Sequence, residues 1–517
     1  MMQEDQIVKN IQKAMIGVTT RAERAEDSVL QQTFVDAAPL FDMLSTKNNQ
    51  VIFGRRGTGK THALKFLAAN IREKGDIPVY IDLRSVGSNG SIYADGRLSL
   101  PERATTLIND VFSAIHDSLV DIVLSALDHV SNPGKLSDAF SAFADQITSL
   151  RVVGETEEEV SGEAARTQKT NTGAQLGKEV SFSTVSNDET FDKSGARRRR
   201  SGHEAPHLVF GGVQDALTIL IDQLGTTRLW LLLDEWSEIP VDLQPYLADL
   251  FRRTVFPNAK VTVKIAAIEH RTYFTIHRER GEYIGIELGA DAAADLNLDD
   301  FMVFENDKVK ATEFFKSLVF RHFVSLSGDV GNNAPRTPDQ FMQTLFTQYT
   351  AFEEFVRASE GVPRDAIYLL SVVCQSAFGR KVSMPDIRKG AQTWYQRDKS
   401  VLLRTSPELD DLLQQVITEV IGRRRARAFL FRADNRNNSI DRLFDGRLLH
   451  ILKRNVSSHD DPGVRYDVYK LDYGCYVDLI TTTHAPQGLL PDEVDPSGYV
   501  EVPPDDWRSI RRAILTL

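Results

Sequence analysis

Gly54, Gly59, Lys60 and Thr61 stand at the spacing G-x-x-x-x-G-K-T, with Gly57 between, in the stretch VIFGRRGTGKTHALKFL over residues 51–67. Glycines here permit backbone conformations that turn several N–H groups inward, which suits the oxygens of a phosphate chain. The lysine would reach the β- and γ-phosphates, the Thr61 hydroxyl would bind Mg²⁺, and the start of the next helix would add its positive end. Arg55, Arg56, Thr58 and His62 complete the loop and count with it as nucleotide-contacting candidates. A plain strand-to-helix turn is the alternative. The glycine-rich turn follows an apolar strand and opens an amphipathic helix, which is the context the pattern requires.

A second constellation is LWLLLDE, in which five apolar residues, Leu229 to Leu233, run into Asp234 and Glu235. Such a run buries a strand and delivers its carboxylates to the C-terminal end, where open α/β sheets bind ligands. Asp234 would hold the Mg²⁺ shell, and Glu235 is placed to orient and deprotonate an attacking water. A carboxylate pair closing a strand can also be solvated turn chemistry; the phosphate loop upstream favours the metal and general-base roles.

Strands and helices alternate around these motifs. QVIFG, IPVYIDLR, RLWLLLDE and KVTVKIAAIEH read as strands, each nearly all apolar, and helical periodicity fills the gaps, so the core is expected to be a parallel sheet covered on both faces. Residues 1–46 read as helical. Residues 150–206 are polar and read as a mobile insertion, with a small hairpin near EVSFSTV and a run Arg197–Arg200 that suits either phosphate or solvent. Residues 300–398 read as helices. The chain has 517 residues, 42% of them hydrophobic, enough for several domains. Two cysteines, neither in a C-x-x-C pair, argue against a disulfide scaffold or zinc site and fit a cytoplasmic setting. No apolar run is long enough to span a bilayer, and the N-terminus lacks the apolar core of a secretion signal.

GRRGTGKTHAL, LLLDEW and SEGVPRDAIYLL resemble the additional-strand P-loop ATPases, and more narrowly the origin-recognition-complex-like AAA+ ATPases and the related STAND NTPases. The resemblance covers roughly residues 27–398. It implies a three-layer αβα core at 47–299, a helical lid at 300–398, and ATP and Mg²⁺ as ligands. It also implies that Pro363 and Arg364 open a lid helix whose arginine senses the γ-phosphate. Where relatives carry a small polar residue after the next strand, this chain has Glu269 and His270. Arg252, Arg253, Arg271, Arg278 and Arg280 stay open as candidates for an arginine finger. GIELGADAAADLNLDDF is assigned no chemistry.

The C-terminal part, 399–490, reads as a winged-helix-like domain. It shows an amphipathic helix ELDDLLQQVITEVIG, a second helical stretch SIDRLFDGRLLHIL, and alternation from Tyr469 to Leu479 with Gly474 as a hairpin turn. Between Arg423 and Arg454 ten basic residues face three acidic ones, in a chain of net charge -11. That local reversal suits the DNA phosphate backbone; the alternative is pairing with acidic surfaces of neighbouring domains. Residues 491–517 form an acidic tail, a partner-binding segment or a solvated end.

The expected function is therefore a slow, Mg²⁺-dependent ATPase whose nucleotide state controls assembly on double-stranded DNA or on a partner protein. A STAND-type oligomerising switch, for example in bacterial antiviral defence, is the rival. A partner-regulating subunit with little turnover is the third reading.

Overall fold

The computed structural model of the chain describes residues 2–18, 25–37, 39–86, 93, 95, 97–125, 132–148, 150–153, 156–159, 184–191, 197–206, 209–225, 228–304, 307–326, 334–423, 426–435, 437–457, 463–477 and 515. In chain order its strands are β1 (Gln50–Phe53), β2 (Ile77–Asp82), β3 (Leu150–Val153), β4 (Thr156–Glu159), β5 (Thr184–Phe191), β6 (Arg197–Pro206), β7 (Leu229–Asp234), β8 (Val261–Ala267), β9 (Thr275–His277), β10 (Tyr283–Gly285), β11 (Ala293–Asn297), β12 (Ala428–Arg432), β13 (Leu449–Ser457) and β14 (Arg465–Leu471).

The central sheet runs β11-β1-β8-β7-β2 and is parallel throughout. Every residue of β7 and β8 is buried, because helices cover both faces. Successive side chains of a strand point to opposite faces. Trp230 and Leu232 accordingly join the apolar core shared with helix Lys60–Glu73, whereas Leu229, Leu231 and Leu233 join the core formed with helices Leu100–Ser125, Pro133–Ile147 and Phe210–Leu224. The result is the three-layer αβα sandwich expected, with β8 inserted between the strand of the phosphate loop and the strand of the carboxylate pair. β11, inside the stretch given no role from sequence, is the fifth strand and borders β1.

Helices from Lys308 to Arg404 form a second body. Helix Met2–Ile16 packs into it: the buried Gln12 donates to Ala377 O at 2.9 Å and Arg380 O at 2.8 Å. The first helix thus belongs with the helical region rather than standing alone.

The C-terminal module follows helix Pro407–Val416 with the antiparallel sheet β12-β14-β13 and helix Asn438–Asp445. It departs from the expected helix and hairpin. The helix stops at Asp445, since Gly446 caps it and Arg447 takes φ 63°; the residues from Leu449 onward form β13. The paired strands are β13 and β14. The alternation does not continue past Leu471, because Asp472 caps Gly474 N and starts a helical turn, Tyr473–Tyr476. One helix therefore stands between β12 and the hairpin.

Within the insertion, β6 pairs with β3, β4 and β5, and the β4 register sets Glu157, Glu158 and Glu159 opposite Arg199, Arg198 and Arg197. The hairpin expected near EVSFSTV lies largely outside the described residues, as do Arg424, Arg425, Arg436 and the acidic tail except Leu515.

Candidate nucleotide site

β1 ends at Phe53 and the chain turns through Gly57 (φ 95°) and Gly59 (φ 101°) into helix Lys60–Glu73. A Cβ on Gly57 would lie 2.9 Å from Cβ of Arg364, so the glycine lets the helical region approach the loop. The approach is bonded: the Arg364 N–H donates to Gly57 O at 3.2 Å. Pro363 opens that helix, where a missing N–H costs nothing.

The loop, the carboxylate pair and the Pro363–Arg364 helix start meet at one cleft of about 560 Å³. Arg56, Gly57, Gly59, Lys60, Thr61, His62, Glu235, Pro363 and Arg364 all line it. Lys60 is buried, and its Nζ donates to Gly54 O at 2.6 Å and Arg55 O at 3.1 Å. Burial pushes its pKa down, while Glu235, Asp234 and Asp299 pull it back up.

Asp234 is fully buried in line with Asp82 of β2. Its Oδ2 accepts from the Tyr80 hydroxyl at 2.8 Å and its Oδ1 from Glu235 N at 2.9 Å. Glu235 takes φ 56°, which lets Asp234 and Trp236 on either side stay inside while Glu235 faces the cleft. Such a conformation costs a non-glycine residue on the order of 1 kcal/mol and gathers at functional sites. Burial, then the neighbouring Asp234, raises the Glu235 pKa; Lys60 and Arg84 oppose the rise.

Four expected residues do not line this cleft. Gly54 and Thr58 form the interior of the turn, where Thr58 Oγ1 donates to Arg55 O at 2.9 Å. Asp234 lies behind Glu235. The Arg55 side chain leaves the loop altogether, contrary to its expected place among the nucleotide contacts, and enters the C-terminal module. His62 reaches the cleft wall but is engaged by Leu30 O at 2.7 Å. Glu269 and His270 are also turned away: Glu269 pairs with Arg454 at 2.9 Å, and His270 faces Asp441 and Asp445. Of the finger candidates, Arg252 and Arg253 pair with Asp249, and Arg271 with Asp445.

Several site residues escaped the sequence reading. Arg84 lines the cleft 3.8 Å from Glu235 and pairs with Asp82 at 2.6 Å; its place at the end of the IDLR strand was a usable signal. Glu238 pairs with Arg56. Val29, Leu30, Leu326 and Ile367 supply an apolar wall, and the buried His322, its pKa lowered to about 4 by burial, sits beside it. Nothing local marked these.

The ligand set suits Mg²⁺ with a nucleotide. Thr61, on the cleft wall, is a hard oxygen donor, and Asp234, behind Glu235, would act on Mg²⁺ through a bound water, since the ion keeps waters and phosphate oxygens for its other positions. The left-handed glycines and the lysine suit the phosphates.

A family model described as ORC-CDC6-like matches residues 18–291, more than half of the chain. The chain belongs to the ORC-CDC6-like family. The family is generally one of AAA+ ATPases, and this chain has the αβα core of a P-loop NTPase. No curated protein matches. Among solved structures, the ORC1 protein of Aeropyrum pernix in complex with DNA matches at 13% identity and a TM-score of 0.27, over 91% of this chain and 96% of that one. The family assignment rests on the family model, not on this likeness. Among the described residues no helix is long and apolar enough to cross a membrane.

Proposed function

We propose that this ORC-CDC6-like chain binds ATP with Mg²⁺ and hydrolyses it slowly, and that its nucleotide state controls assembly with DNA or protein. The observation that carries the reading is the meeting of Lys60, Thr61, Glu235 and Arg364 in one cleft, with the Arg364 backbone bonded to the loop. Lys60 and Arg364 would hold the phosphates, and Thr61 and Asp234 the metal. Bound Mg²⁺ would neutralise charge on the phosphates. Glu235, with its raised proton affinity, would take the proton of the attacking water, and Arg84 beside it would orient its carboxylate. The apolar wall from Val29 to Ile367 would receive the base. Residues 47–299 form the ATPase core in this reading, 300–398 the lid and 399–490 the partner-facing domain.

Titration of a fluorescent ATP analogue against wild-type and Lys60→Ala protein tests this. The variant should lose binding or bind far more weakly, because it removes the phosphate loop's own charge from the β- and γ-phosphates. Wild-type affinity in a folded variant would remove the proposal.

A second reading, an oligomerising or partner-regulating switch without DNA, has its own support. Much of the basic region meets the protein itself. Arg454 pairs with Glu269 and, at 3.5 Å, with Asp300; Arg447 pairs with Asp365 and Asp398; Arg442 donates to Ser406; Arg423 pairs with Glu419 and Arg432 with Asp434. Mass measurement with ATP, with ADP, and with or without duplex DNA separates the readings.

A further inference from the structure

Arg55 belongs to the phosphate loop by its backbone and to the C-terminal module by its side chain. Its carbonyl accepts from Lys60 Nζ at 3.1 Å and from Thr58 Oγ1 at 2.9 Å. Its guanidinium pairs with Asp299 at 2.6 Å, donates to Leu449 O at 2.9 Å and Phe444 O at 3.3 Å, and lies 4.2 Å from the Phe444 ring centre. Nη2 is 3.2 Å from His450 Nδ1. A guanidinium only donates, so Nδ1 accepts and the ring proton sits on Nε2, which donates to Asp472 Oδ2 at 3.2 Å. Burial keeps this histidine neutral, with its pKa lowered to about 3.

The path continues. Asp472 also holds Lys399, and Lys399 reaches Asp365 Oδ2 at 3.1 Å. Asp365 directly follows Arg364, whose N–H returns to Gly57 O. On the other side of the same GVPR turn, Glu360 accepts from Lys470 Nζ at 2.8 Å and Tyr473 N at 3.0 Å. The module therefore touches the loop at Arg55 and brackets the helix start that touches the loop at Gly57. Asp299, Asp365, Lys399, His450, Lys470 and Asp472 are all nearly or fully buried, so these contacts do not swing freely.

We propose that Arg55 is a positioning residue for the phosphate loop, through which the C-terminal module and the nucleotide act on each other. The inference rests on the nucleotide-binding reading above. Its sign follows from Lys60. The ammonium that would bind phosphate is the one that steadies the Arg55 carbonyl, so nucleotide and module compete for the placement of residue 55. Nucleotide loosens the module, and by thermodynamic reciprocity a loosened module raises nucleotide affinity by the same factor. Couplings of this kind are usually about 5- to 150-fold.

Hydrogen exchange on the full chain, with and without a slowly hydrolysed ATP analogue and Mg²⁺, tests this. Amides of the loop should slow, and those of residues 442–452 and 470–476 should exchange at least about fivefold faster. His450→Leu, which breaks the bridge between Arg55 and Asp472, should bind the analogue at least about fivefold tighter, and its module amides should no longer respond to it. His450→Gln, which can still accept from Arg55 and donate to Asp472, should restore both behaviours. A loop that slows while the module stays unchanged, or slows as well, overturns the proposal and leaves the nucleotide-binding reading standing. If neither region responds, nucleotide binding itself fails and the proposal falls with it. The wild-type measurement decides even if His450→Leu does not fold.

Discussion

The hydroxyl of Tyr80, on β2, donates a 2.8 Å hydrogen bond to Oδ2 of Asp234, on the neighbouring β7. The bond fixes the carboxylate plane from behind. Tyr80→Phe should lower stability by about 1.5–3 kcal/mol, the usual worth of a hydrogen bond to a charged group. Urea denaturation measures it, and an unchanged midpoint would show that Asp234 holds its place without Tyr80.

Glu235→Gln should keep ATP binding and lose most hydrolysis. Glutamine retains shape and hydrogen bonding but cannot take a proton, and loss of a general base costs about 10²–10⁴-fold. Steady-state phosphate release equal to wild type would mean that another group activates water.

Lys264 lies in the middle of β8, fully buried, with Nζ 2.9 Å from Gln50 Oε1. Burial lowers its pKa to about 7 from the ordinary 10.5, with Asp295 opposing. Between those values the unfolded chain binds the extra proton, so stability rises with pH across that window. Lys264→Met removes this dependence. The melting temperature of wild type relative to Lys264→Met should therefore climb from pH 7 to pH 10, and a constant difference would show that the amine stays charged inside the sheet.

The DNA reading assigns phosphate contacts to Arg423, Arg424, Arg425 and Arg427, which lie close together in sequence just before β12. The reading expects two or three phosphate contacts from these four. Alanine at all four should flatten the log–log salt dependence of duplex binding by roughly two to three units, while ATP binding persists. Failure of the wild type to bind labelled duplex at low salt, with or without ATP, would remove the DNA reading in favour of the switch.

The phosphate loop, the carboxylate pair and four core strands were legible because their signals are local: a fixed spacing, or an unbroken apolar run. β11 was not, since its AADLN sequence lies at a sheet edge and only Leu296 within it is fully buried. The C-terminal hairpin was misplaced because alternation alone does not reveal that Asp472 caps a helical turn. Arg55 looked like a loop residue with a phosphate role. Its partners Asp299, Leu449 and His450 lie hundreds of positions downstream, and no spacing rule links them.

Helices Pro133–Ile147 and Phe210–Leu224, which flank the polar insertion, lie side by side, and Gln146 reaches Gly212 so closely that a Cβ there would meet it at 2.1 Å. The chain thus leaves and re-enters the αβα body almost at one point. Closing so short a gap costs little entropy whatever the length between, because that cost grows only with the logarithm of loop size. The insertion is in effect a socket: a short linker or a fluorescent reporter domain placed there would leave untouched the cleft, to which neither flanking helix contributes a lining residue.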